Sequence, residues 1–125
     1  MGYDLHITRA ADWSASEDAP ITLEEWLAFV RSDPEMRLDG FAEAANDEGE
    51  AIRVEAPGLA VWTAYPRHGV DGNMAWLLWF GGRIDAKNPD EEFRRKLHAI
   101  ARALRARVQG DEGEVYGPDG EPGAG

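Results

Sequence analysis

Apolar and polar positions alternate from the start of the chain. Tyr3, Leu5 and Ile7 fall on one side of a strand, with Asp4, His6 and Thr8 on the other. From Ala10 to Pro20 the residues become small and acidic, which predicts a loop carrying Trp13. The period then changes to that of a helix, with Leu23, Trp26, Leu27 and Val30 on one stripe. Thr22 is the N-cap, and Glu25 stands where it closes a capping box. Ile21 and Trp26 have the spacing of a hydrophobic staple. Asp33-Pro34 ends this helix, because a residue before proline is pushed out of the α region.

Period-two segments follow. Residues 41–45 and 51–55 are short strands about the turn Asn46-Asp47-Glu48-Gly49. After Pro57-Gly58, the segments 59–65 and 74–80 are apolar on both faces, which predicts central strands. Gly81-Gly82 is a two-residue turn into 83–87, whose alternating charges predict an edge strand. A second helix is predicted from Asn88 as N-cap, Pro89 at the first position and acids at 90–92. Its apolar stripe is Phe93, Leu97, Ile100, Ala101, Leu104 and Val108, and Gly110 ends it. A short strand at 114–116 precedes a polar tail. The pattern as a whole predicts an α+β domain over residues 1–117, with 118–125 as a flexible tail. Two helices, 22–32 and 89–109, pack on one face of an antiparallel (or mixed) sheet of about five to seven strands.

Composition narrows the function classes. The 125 residues suit one domain with its own core, and the absence of cysteine excludes disulfides and thiol chemistry. The formal net charge of -11 argues against binding a phosphate backbone, so no nucleic-acid partner is expected. The charge is uneven, since residues 93–110 hold six bases and no acid. The longest apolar run, Met74–Phe80, is far shorter than the ~20 residues of a membrane span, and no targeting signal is found. A cytoplasmic protein without a membrane partner is the expectation.

Candidate chemistry is sparse. No nucleophile elbow, dinucleotide fingerprint or phosphate loop occurs, so no cofactor and no metal are expected. His98 has arginine at both i±4 positions and reads as a surface residue. A polar row of Asp4, His6 and Thr8, joined by His68 and Asp71 from the loop 66–73, is the one candidate catalytic or ligand site. Tryptophans on the central strands offer a contact surface instead. Trp62 and Trp79 are the candidate anchors, and Asp47, Glu48 and Glu50 the candidate charges, with Asp4, Asp39 and Glu43 beside them.

The segments Tyr3-Asp4-Leu5-His6-Ile7-Thr8-Arg9, Gly58-Leu59-Ala60-Val61-Trp62-Thr63 and Lys87-Asn88-Pro89-Asp90, with Val108–Glu114, resemble a set of small single-domain bacterial proteins. That likeness carries no active-site residues across. In size, acidity, lack of cysteine and mixed α+β pattern the chain also resembles immunity proteins of bacterial toxin systems. The second likeness implies a module that occludes a basic partner such as a toxin domain. The alternative is a small enzyme or ligand-binding protein built on the His/Asp site.

Overall fold

The computed structural model describes residues 3–45, 47–70 and 74–123. Strand β1 (Leu5–Thr8) leads into a 3₁₀ segment, Trp13–Asp18, and then helix α1 (Leu23–Ser32). Strands β2 (Met36–Leu38), β3 (Phe41–Ala45), β4 (Ala51–Glu55), β5 (Leu59–Trp62), β6 (Trp76–Phe80) and β7 (Arg83–Ala86) follow. Helix α2 (Glu91–Ala103) and strands β8 (Arg107–Gly110) and β9 (Val115–Tyr116) complete the described chain. It is an α+β fold: a seven-stranded antiparallel sheet in the order β2-β5-β6-β7-β1-β8-β9, with β3 and β4 forming a separate hairpin.

One face of the sheet meets both helices. Leu5, Ile7, Ala60, Trp62, Leu77, Ile84 and Val108 form a single core with Trp26 and Val30 of α1 and Phe93, Leu97 and Ile100 of α2. The capping box of α1 forms as its sequence dictates, with Thr22 Oγ1 accepting from the Glu25 amide and Glu25 accepting from the Thr22 amide. Lys96 of α2 reaches Asp33 at 2.8 Å and Glu35 at 2.9 Å, which ties the two helices together at the end of α1.

Several expectations are corrected. Helix α2 begins two residues late, because Asp90 and not Asn88 caps it, accepting from the Phe93 amide. Asn88 sits at φ 45° in the preceding turn. The helix also ends early. Arg105 adopts φ 56°, and the Ala106 amide bonds back to the Ala101 carbonyl, a left-handed C-terminal closure made without glycine. Val108, read as helical from its spacing, lies instead in β8 beside β1. Strand β7, expected at an edge, is the middle of seven. Its charges are tolerated there because Arg83 Nε donates to Asp85 at 2.9 Å and Asp85 also meets His6. Residues 118–123, read as tail, turn back on α2, where Arg94 Nε donates to the Gly120 carbonyl at 2.6 Å and Arg95 Nε to that of Asp119 at 3.3 Å. Strand β2 has no counterpart in the sequence reading. Among the described residues no helix is long and apolar enough to cross a membrane.

Candidate functional site

The outer face of the sheet, away from the helices, holds two different surfaces. Around β1 it is polar and covered. His6 is 4 % exposed, and its Nδ1 lies 2.6 Å from Asp85 Oδ1 while its Nε2 lies 2.8 Å from Asp111 Oδ1. Trp13 stacks on the imidazole with ring centroids 3.9 Å apart and planes at 14°. Gln109 holds that segment in place: its Oε1 accepts from the Trp13 amide at 2.7 Å and its Nε2 donates to the Ala11 carbonyl at 2.8 Å.

Burial by itself lowers the His6 pKa. The hydrogen bonds and charges of Asp85 and Asp111 outweigh it and hold the pKa above the ordinary 6.5. A ring with a carboxylate on each nitrogen is an imidazolium donating twice. Burial raises the Asp111 carboxyl, but the His6 contact and the Asp4 amide reverse that and leave it below its usual value. Both imidazole nitrogens are thus committed to structure, and none is free to accept a proton from a substrate.

Among the described residues no hydrogen bond joins His6 to Asp4, Thr8 or His68. Asp4 contributes its amide to Asp111 Oδ2 at 3.0 Å, and Thr8 Oγ1 accepts from the Ala10 amide at 3.1 Å. His68 lies in the turn after β5, its amide donating to the Tyr65 carbonyl at 2.9 Å. Its Nδ1 is buried and finds no partner among the described residues. Asp71 lies outside the described residues. His6 and His68 share none of the clefts at Arg9–Glu25, Leu23–Phe80, Pro20–Gly82 and Tyr65–Asp90, and neither lines any of them. Among the described residues no group of metal-ligating side chains forms either. In the largest of these four clefts, about 680 Å³ between α1 and the end of α2, Arg9 holds Glu25 at 2.9 and 2.7 Å. That contact, with the Thr22 amide, drives the Glu25 pKa down to about 2.

Around β6 the outer face is apolar and open. Strand alternation puts Leu77 and Trp79 toward the helices and Trp76, Leu78 and Phe80 toward solvent, at 37 %, 36 % and 58 % exposure. The expected anchors stand on the other face. Trp62 is buried in the core, packed against Phe93 and Tyr65, and its indole donates to Glu35 at 3.0 Å. It therefore presents no ring to a partner. Trp79 is half-buried, with its indole N–H on the Ile21 carbonyl at 2.8 Å. The correct signal was available in the alternation, which separates Trp76 from Trp79. The sequence does not reveal which side the helices take.

Asp47, Glu48 and Glu50 are exposed on the β3–β4 hairpin. The hairpin springs from the sheet through Gly40, whose amide donates to the Leu59 carbonyl and whose carbonyl accepts from Ala56. Glu43 lies in β3, opposite Arg53 of β4 in register. Asp39 is half-buried and ion-paired to Arg37 at 2.7 Å. Comparison with protein-family models, curated proteins and solved structures gives no match.

Proposed function

We propose that this chain is a small acidic protein-binding module whose contact surface is the open outer face at β6. It fits a basic partner, such as a toxin domain that it would occlude. The observation that carries the reading is the row Trp76, Leu78 and Phe80, three large apolar side chains side by side and exposed on one strand. Scattered exposed apolar residues are ordinary on a soluble protein, but a contiguous row of this kind marks a contact surface. Aromatic residues are the usual anchors of such surfaces. The net charge of -11 and the hairpin acids supply long-range attraction for a basic partner.

The test is affinity capture from the native host with the full chain, followed by binding kinetics at low and high salt. Phe80→Ala and Trp76→Ala should raise the off-rate, each by about tenfold or more if they are hot spots. Joint charge reversal at Asp47, Glu48 and Glu50 should lower the on-rate and flatten its salt dependence. Capture of no protein, or kinetics indifferent to all of these changes, would remove the reading.

A further inference from the structure

Beside the β6 row lies a cleft of about 380 Å³, walled by Leu23, Ala56, Pro57, Leu78, Trp79 and Phe80. The sequence builds it from three places. The β4–β5 turn forms one wall, the end of β6 another, and the first residue of α1 closes it. Gly58 brings the turn hard against β6, with its carbonyl accepting from the Trp79 amide at 3.1 Å. Trp79 shows the cleft only its apolar ring, because its N–H is satisfied by Ile21. The one polar side chain at the rim is Glu55, already paired with Arg53 at 3.2 Å.

We propose that this cleft seats a single aliphatic or aromatic side chain from a basic peptide segment of the partner, with Glu17 and Glu24 receiving the Lys or Arg residues beside it. The inference rests on the binding reading above and names the chemistry that the surface selects. Small-molecule sites need convergent polar groups to orient the ligand, and none is present here. A partner's side chain needs no such groups, because the rest of its interface fixes its direction. The charges agree with a basic segment. Glu17 lines the adjoining cleft, which shares Leu23 and Trp79 with this one, and Glu24 follows Leu23 in the first turn of α1. Both carboxylates are exposed. Arg83, 5.3 Å over the Phe80 ring, is paired with Asp85 at 2.9 Å. An acidic segment would meet the two glutamates and be repelled.

The probe is a random peptide library displayed on phage, selected against the folded full chain. Selected peptides are then measured by fluorescence anisotropy. The expected peptides carry an aromatic or branched aliphatic residue within one or two positions of Lys or Arg. Phe80→Lys and Ala56→Trp, which charge and fill the cleft, should weaken them by about tenfold or more. Glu17→Lys with Glu24→Lys should weaken them most at low salt. Phe80 is solvent-exposed, so Phe80→Lys keeps the test valid if Ala56→Trp does not fold; melting curves check both. Acidic peptides, no enriched peptide, or affinities unmoved by the cleft variants would overturn the inference. Peptides that respond only to Trp76→Ala or to the hairpin reversal would also overturn it while leaving the binding module standing. The module itself fails separately, by the host capture above.

Discussion

Asp111 Oδ1 lies 2.8 Å from His6 Nε2 across 105 residues of sequence, so the turn after β8 is fastened to the middle of β1 by a charged contact. The same turn receives the Trp13 indole N–H on the Asp111 carbonyl at 3.3 Å and the Asp4 amide on the Asp111 carboxylate. One aspartate thereby joins the N-terminal strand, the 3₁₀ segment and the C-terminal strands. The imidazolium at its centre also binds Asp85 of the middle strand.

This cluster sets a pH dependence whose sign is fixed. The His6 pKa is raised in the folded protein, so its stabilisation is complete below the unfolded value of about 6.5 and is lost as pH rises through the folded value. On the acid side, Asp111 is depressed, and its contribution is lost as pH falls below the usual carboxylate range. Urea midpoints should therefore decline from mildly acidic to alkaline pH, and His6→Gln should remove the alkaline decline. An equal decline in His6→Gln would place its cause elsewhere.

The two faces of the sheet predict opposite behaviour for tryptophans that look alike in sequence. Trp62→Ala empties a core site and should destabilise by about 3–5 kcal/mol. Trp76→Ala removes an exposed ring and should fall within about 1 kcal/mol. Chemical denaturation of the two variants measures the difference directly. Equal losses would mean that the alternation is assigned to the wrong faces.

Arg105 gives a stabilising prediction. At φ 56° it occupies the left-handed position after α2 that glycine fills most readily. Holding a side chain there costs about 1 kcal/mol. The Arg105 side chain is exposed, and among the described residues it makes no hydrogen bond or ion pair that offsets that strain. Arg105→Gly should raise stability by up to about 1 kcal/mol, and Arg105→Val should lower it. A loss with glycine would show that the arginine side chain contributes more than its backbone strain removes.

The capping box of α1 and strands β1, β3 to β7 and β9 were legible in the sequence because their signals are local, whereas β2 and β8 were not. Thr22 and Glu25 are three residues apart, and the β6 alternation is carried by neighbouring residues. The end of α2 was not legible, since Arg105 closes it without the glycine that normally announces such a turn, and Val108 happens to continue the helical spacing. The polar row of Asp4, His6 and Thr8 was visible, but its partners were not. Asp85 and Asp111 reach His6 only because β7 and β8 flank β1, and strand order is set by long-range packing. The outward face of β6 was hidden for the same reason: alternation separates Trp76 from Trp79, but only the docked helices decide which one is buried.

Gly58 provides the sharpest steric prediction. Its φ is not in the left-handed region, so conformational freedom is not why glycine stands there. The reason is space. A Cβ at this position would lie 2.5 Å from Trp79 Cβ, 3.3 Å from Leu23 Cδ1 and 3.4 Å from Trp79 Cα. Atoms that close to the backbone cannot swing aside, so the turn or β6 must move. The Gly58 carbonyl accepts from the Trp26 indole at 2.9 Å and from the Trp79 amide at 3.1 Å, and movement of the turn strains both bonds. Gly58→Ala should destabilise by about 2–3 kcal/mol, in the upper part of the overpacking range. Gly123→Ala, where the added methyl meets nothing within 4 Å, should stay within about 0.5 kcal/mol. Because Trp26 is buried, intrinsic fluorescence during urea melts reports the change. Equal stability of the two variants would show that the turn and β6 are not held in contact at Gly58.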